Sequence, residues 1–253
     1  MRLTDVSGSC NCIGNVSCGR GEATMKTTAI VLSAGAGKRM ETTKAKQYLL
    51  LGDMLIVAHS LCVFQKTKVI DEIILVTAKD DIETATIEIV HHYNISKCNR
   101  IIAGGKERQD SVKNALAIIS DDTDVILIHD GVRPFVSEKM INDCVKVAQE
   151  FGGSVVGVPL KDTLKHTDES GFVKETPERS AFWIAQTPQA FRKDIISIAY
   201  ETAYLNGYYG TDDASLVERI GKKVKMVLGA YDNIKITTPE DMLCAEMILK
   251  DKR

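Results

Sequence analysis

Residues 29–40 read AIVLSAGAGKRM, and this stretch decides the fold. An apolar, β-branched run from Ala29 to Ser33 gives way at once to Ala34, Gly35, Ala36 and Gly37, and then to Lys38 and Arg39. A strand ending in small residues is how an open α/β sheet brings backbone N–H groups close to an anionic or planar ligand beyond its carboxyl edge. A nucleotide is the natural occupant. Two rival phosphate loops fail on the same residues. A Walker loop needs Ser or Thr after its Gly-Lys pair, where Arg39 stands, and a dinucleotide fingerprint needs a small residue where Met40 stands. What remains is a short glycine turn carrying Lys38, Arg39 and, further on, Lys46, a cationic cradle suited to a triphosphate.

Outward from this turn, short β-branched runs alternate with segments whose apolar residues recur at helical spacing. Strands are expected at Ala29 to Ser33, Glu72 to Thr77, Asn99 to Ala103, Val125 to His129, Ser154 to Val158 and Lys223 to Leu228. Helices are expected at Asp53 to Lys66, Asp81 to Tyr93, Arg108 to Ile119, Ser137 to Phe151, Lys193 to Asn206, Asp212 to Ile220 and Thr238 to Lys250. The last has a capping threonine, a first-turn proline and an early acid. This alternation predicts an α/β fold with a doubly wound, mostly parallel, Rossmann-like sheet. One stretch breaks it. Leu160 to Thr176 reads as two polar strands, Thr163 to His166 and Phe172 to Lys174, around a turn-rich Thr167 to Gly171. An antiparallel hairpin inserted in a parallel sheet has nowhere to pack inside, so it is expected to project as an arm, at about 160–180, that meets a partner.

A chain of 253 residues, 44% of them hydrophobic, can bury one substantial core, so residues 25–253 are expected to form a single domain. A formal net charge of -2 gives no global field for a polyanion, which argues against nucleic-acid binding and requires any phosphate site to be local. No apolar run approaches the roughly 18 residues of a membrane span, and no signal-peptide core opens the chain, so a cytoplasmic, membrane-free protein is expected. Cys62, Cys98, Cys144 and Cys244 sit singly in strand-like or helix-like segments and are expected in or near the core. Cys10, Cys12 and Cys18 cluster in residues 1–24, a Gly-, Ser- and Asn-rich run without apolar periodicity that reads as a disordered extension. With no His and no CxxC there, a metal-binding tail is the weaker reading.

Further motifs follow in order: KQYL after the glycine turn, GGKERQDSV (104–112), HDGVRP (129–134), KDTLK (161–165), TPERSAFWIAQTPQAF (176–191), TDDASLVE (211–218) and DNIKITTPEDM (232–242). Asp130, ending an apolar strand, would sit at the sheet's carboxyl edge, where a carboxylate can hold Mg²⁺ against triphosphate oxygens. Arg133 beside it suggests an anion site. His129, at the end of the same apolar run, reads as a packed histidine rather than a base. Taken together, these motifs resemble sugar-phosphate nucleotidyltransferases, and in particular the methylerythritol phosphate cytidylyltransferase family, from Lys26 to the C-terminus.

That resemblance implies an enzyme that joins CTP to methylerythritol phosphate with release of pyrophosphate, in isoprenoid precursor synthesis, using Mg²⁺ or another divalent cation. By resemblance, Arg39, Lys46 and Lys235 are the catalytic cations, and Ala34, Gly35, Gly37, Gly104, Ser111 and Asp130 contact CTP, with Asp130 the metal residue. The acceptor falls to Arg133, Thr163, Arg179 and Thr187, with Thr163 and Arg179 on or beside the arm, which in the family crosses a twofold axis of a homodimer to complete the neighbour's site. A phosphate monoester has a second pKa near 6 and attacks without a base, so positioning and charge neutralisation carry the chemistry. The nearest alternative acceptor is ribitol 5-phosphate, and Trp183 and TDDAS favour methylerythritol phosphate. An NAD(P) oxidoreductase lacks its third small residue, and a non-catalytic regulator could lose Arg39, Lys46, Asp130 or Lys235, all of which are present.

Overall fold

The first strand, β1 (Thr27–Ser33), has a parallel neighbour on each side, and its alternating side chains feed two different cores. The computed structural model describes residues 25–35 and 45–252. The expected extension 1–24, with its three cysteines, and the turn residues Gly37, Lys38 and Arg39 lie outside the described residues. Ala29 and Val31 point to one face and Ile30 to the other, the period of two that a doubly covered strand requires.

After β1 the chain makes the tight pair β2 (Leu50–Leu51) and β3 (Met54–Leu55), then α1 (Ile56–Lys66) and β4 (Glu72–Thr77). An irregular helical stretch follows, with only Ile82–Thr84 (α2) α-helical and Ala85–His91 wound as a π-helix, where the sequence predicts one continuous helix. Next come β5 (Cys98–Ala103), α3 (Arg108–Leu116), β6 (Val125–Asp130) and α4 (Glu138–Phe151). Ser137 Oγ accepts the Met140 amide at the start of α4, and Gly152, at φ 92°, ends it in the left-handed region that glycine enters without strain. The last part comprises β7 (Gly153–Pro159), β8 (His166–Thr167), β9 (Val173–Glu175), β10 (Trp183–Arg192), α5 (Lys193–Leu205), α6 (Asp213–Arg219), β11 (Lys225–Leu228) and α7 (Pro239–Asp251).

Seven strands form the main sheet in the order β11-β7-β10-β6-β1-β4-β5. All pairs are parallel except those of β10, which runs antiparallel to both β6 and β7. On one face α1, the α2 stretch and α4 bury Val57, Leu61, Phe64, Ile89, Ile141 and Val145 against the sheet. On the other, α3, α5 and α6 bury Val112, Ile196, Tyr200 and Leu216. Truncating a fully buried aromatic such as Phe64 to Ala would cost about 3–5 kcal/mol. The register pairs Leu32 with Asp130 and Ser33 with Thr77, so β1, β4 and β6 deliver their carboxyl ends to one edge.

The strand β10 is absent from the sequence reading. Its run WIAQTPQAFR is interrupted by polar residues and Pro188, which demotes a central strand because proline cannot donate to a ladder. The structure accommodates it with an irregularity: pairing with β7 shifts between Ala185 and Gln189, and pairing with β6 begins only at Gln189. Gln186 and Thr187 are thereby turned inward and buried. The arm is present as an excursion between β7 and β10, whose adjacent ends pair through Pro159 and Trp183. Its tip is the small sheet β8–β9, with the Asp168 carboxylate accepting the amides of Ser170 and Phe172 at 2.9 and 3.0 Å. Cys98 and Cys144 are buried and Cys62 is half-buried, but Cys244 is exposed, because α7 packs on the rest through a narrow stripe in which only Ala245 is buried.

Candidate active site

At the shared carboxyl edge, Asp130 is gripped by two cations. Arg108 Nε donates to Oδ1 at 3.0 Å and Lys235 Nζ to Oδ2 at 2.7 Å. The first comes from the opening residue of α3 and the second from the segment after β11, so two crossovers converge on the end of β6. Burial works against ionisation of Asp130, but Arg108, Lys235 and Arg133 outweigh it and hold the carboxyl well below its usual range. The Asp130 amide donates to Thr187 Oγ1 at 3.0 Å, which fixes the strand end to the irregular part of β10.

His129, one residue earlier, points the opposite way. It is fully buried, lies 5.1 Å from the Phe64 ring, and pairs with Thr187 Oγ1 at 3.1 Å and the Arg133 carbonyl at 3.2 Å. Burial is the main cause that pushes its pKa down to about 3, so it is a neutral packing residue, as its place in an apolar run predicts.

Two cavities meet at Asp130. The first, about 280 Å³, is lined by Ser33, Ala34, Gly35, Lys46, Ser111 and Lys235 among others, with Asp130 and Arg108 in its wall. Gly104 closes in behind it: a Cβ there would collide with Ala34 and stand 2.8 Å from Ser111 Oγ, so only glycine permits this approach. Gly105 N donates to Ser111 Oγ at 3.1 Å. Gln47 is buried and donates its side-chain amide to the Ser33 carbonyl at 2.7 Å, which ties it to the end of β1. The second cavity, about 270 Å³, has Arg133, Gln186, Thr187 and Asp212 in its wall and shares Arg108, Asp130 and Lys235 with the first. Arg133 Nη1 donates to the Asn233 carbonyl at 2.7 Å, while its buried Nε has no hydrogen-bond partner among the described residues. A buried donor without a partner beside a cavity is a place where a ligand oxygen is wanted.

Of the residues singled out in the sequence, the structure therefore brings together Ala34, Gly35, Lys46, Gly104, Ser111, Asp130 and Lys235 around the first cavity, and Arg133 and Thr187 around the second. It does not bring Thr163 or Arg179 to either. Both are exposed at the arm, where Arg179 Nη1 donates to the Lys161 carbonyl at 2.9 Å rather than pairing with a neighbouring glutamate. Gly37 and Arg39 lie outside the described residues. Sequence reasoning missed Arg108, Gln47 and Gln186, although all three stand inside quoted motifs; for Gln47 and Gln186 the available signal was a polar residue beside apolar ones, and Arg108 carried no such signal.

No group of three or more His, Cys, Asp or Glu gathers among the described residues. Asp130 is a single hard carboxylate at the junction of two anion-sized cavities, a donor set that fits a divalent cation held chiefly by phosphate oxygens and not one caged by protein.

A mostly parallel sheet with a glycine-lined cavity and a cationic junction at its carboxyl edge defines an α/β nucleotide-binding protein of the nucleotidyltransferase kind. The sequence model for 2-C-methyl-D-erythritol 4-phosphate cytidylyltransferase matches residues 27–251, and the chain belongs to that family. It is 50% identical over 228 residues, 89% of this chain and 97% of the relative, to the 2-C-methyl-D-erythritol 4-phosphate cytidylyltransferase of Geotalea uraniireducens (strain Rf4). The protein of that name from Clostridioides difficile (strain 630) is 48% identical, over 88% of this chain and 93% of its own length. Among solved structures, the 4-diphosphocytidyl-2C-methyl-D-erythritol synthase of Anaerococcus prevotii superposes with a TM-score of 0.80 at 34% identity, covering 90% of this chain and 99% of that one.

Proposed function

We propose that this protein transfers the cytidylyl group of CTP to 2-C-methyl-D-erythritol 4-phosphate, releasing pyrophosphate, in isoprenoid precursor synthesis. The observation that carries the reading at the level of atoms is the wall shared by the two cavities, in which Arg108 and Lys235 flank Asp130. CTP occupies the first cavity, its base and ribose against Ala34, Gly35 and Ser111, with Gly104 behind them, and its phosphates toward Lys46 and Lys235. The acceptor phosphate enters the second, toward Arg133 and Thr187.

A phosphate oxygen of the acceptor attacks the α-phosphorus of CTP, the bond to the β-phosphate oxygen breaks, and pyrophosphate leaves with the electron pair. The acceptor monoester, with a second pKa near 6, already carries the attacking anion at neutral pH, so no residue need remove a proton. The obstacle is the approach of two anions. Lys46, Arg39 and Lys235 offset that repulsion and the charge that grows on the phosphoryl oxygens, and the rigid strand end holds the reacting atoms in line. Mg²⁺ is the divalent cation of this reading: Asp130 would hold it, and it would supply further neutralisation of the triphosphate.

The catalytic unit of this reading is a homodimer. The arm and its root expose Phe172, Val173, Phe182, Trp183 and Ile184, a run of large apolar side chains that a second copy would cover while delivering Thr163 and Arg179 to its neighbour's acceptor cavity.

The deciding experiment is pyrophosphate release by the purified protein with CTP and Mg²⁺, with methylerythritol phosphate and ribitol phosphate offered separately. Release that depends on methylerythritol phosphate is expected. Faster release with ribitol phosphate, or with neither acceptor, would overturn the reading.

A further inference from the structure

Behind the cation that touches Asp130 stands a second carboxylate that reaches neither cavity. Asp213, the first residue of α6, is 1% exposed and absent from both cavity walls. Its Oδ2 accepts Arg108 Nη2 at 2.8 Å and its Oδ1 accepts the buried Tyr200 hydroxyl at 2.5 Å. Arg108 is thus stretched between two aspartates, Nε on Asp130 and Nη2 on Asp213, with one end in view of both cavities and the other sealed in the core. The segment around Asp213 is itself fixed. Asp212 Oδ1 accepts the Ser215 amide at 2.9 Å, its Oδ2 accepts Gln189 Nε2 at 2.9 Å, and Gln189 Oε1 takes the Ala214 amide at 3.1 Å. Since β10 also carries Thr187, the same strand anchors the acceptor cavity and the carboxylate behind Arg108.

We infer that Asp213, braced by Tyr200, is a positioning residue that aims the Arg108 guanidinium at the junction of the two cavities. This inference rests on the proposed cytidylyl transfer and adds to it a residue that contacts no substrate. An arginine on the first turn of a helix has many rotamers, and a planar guanidinium bound at two edges by carboxylates on separate elements has one. Asp213 is also a helix-start acid and would favour α6 in that role alone. The two roles separate experimentally through Tyr200→Phe, which keeps both the helix-start charge of Asp213 and the Asp212 cap and removes only the brace on Asp213.

The test uses the full chain with CTP, methylerythritol phosphate and Mg²⁺, comparing wild type, Asp213→Asn and Tyr200→Phe. Removing the charge that aims Arg108 is expected to lower kcat on the order of 10- to 100-fold, the scale of a small misplacement at a reacting centre, with KM for CTP within about threefold. Tyr200→Phe, which keeps both carboxylates, should show the same pattern more weakly and serves if Asp213→Asn does not fold. The second readout is independent of turnover: the Arg108 Nε–H resonance, assigned by its loss in Arg108→Lys, should stand apart from other arginines in the wild type and merge with them in Asp213→Asn. An unchanged kcat per folded molecule, or an unmoved Arg108 resonance, would overturn the inference. If the wild type does not turn over, the proposed reaction falls while the resonance still decides whether Asp213 holds Arg108.

Discussion

Lys235 Nζ lies 2.7 Å from Asp130 Oδ2, on the opposite side of the carboxylate from Arg108. Asp130 therefore ends β6 as an ion between two cations. Because its folded pKa is depressed below the ordinary 3.8, ionised Asp130 contributes stability that is fully present above that value and is lost as pH falls below it toward the folded one. Wild type is expected to lose urea resistance more steeply below about pH 4 than Asp130→Asn, which has no charge to lose there. Equal slopes in urea titrations across that range would remove Asp130 as an acid-sensitive point.

His129 adds a loss of stability in acid that begins at a higher pH. With its pKa pushed down to about 3 by burial, it stays neutral through the range in which an ordinary histidine, at 6.5, titrates. The unfolded chain takes up this proton below 6.5 and the folded chain does not, so stability is complete above 6.5 and declines as pH falls toward about 3. In nitrogen-detected NMR the His129 ring should hold one neutral tautomer across that window. A ring that protonates near its ordinary value would contradict the packed role.

The triphosphate cations should act on turnover more than on affinity. Lys46→Ala and Arg39→Ala are each expected to lower kcat by roughly 100-fold or more, the scale for deleting one transition-state charge stabiliser. Steady-state kinetics that show a change confined to KM would place these side chains in ground-state binding only.

The arm can be tested by mixing defects. If Arg179 serves the neighbouring acceptor site, Arg179→Ala and Arg133→Ala proteins should each be nearly inactive. Mixed and allowed to exchange, they should recover about a quarter of wild-type activity, since about half of a random mixture is mixed dimers with one intact site each. No recovery after exchange confirmed by mass spectrometry would confine Arg179 to its own chain.

Deletion of the residues before Met25 should leave kcat/KM unchanged, since the family match begins at residue 27 and the deleted run has no apolar periodicity. A truncated protein that aggregates would give that segment, and Cys10, Cys12 and Cys18, a part in folding.

Much of the sheet edge was legible because its signals are local. The apolar run ending in Ser33, Ala34 and Gly35, and the one ending in Asp130, each announce a strand with its functional residue at the carboxyl end. β10 was not, because Pro188 and the polar Gln186 and Thr187 contradict a central strand in sequence, and only the pairing shift beside β7 makes room for them. Arg108 was hidden for another reason. An arginine opening a helix resembles a surface charge until α6, more than a hundred residues later, supplies Asp213 as its second partner.

The excursion between β7 and β10 bears on how this chain tolerates changes of length. One added residue at the β8–β9 turn alters only a two-stranded tip outside the main sheet, and can be absorbed there. The same residue added between Trp183 and Thr187 would slide β10 by one position and flip its side chains to the opposite face, turning Thr187 from the Asp130 amide and Gln186 from its buried place. Insertions and deletions can thus accumulate at the end of the arm while its return strand is held to a fixed count.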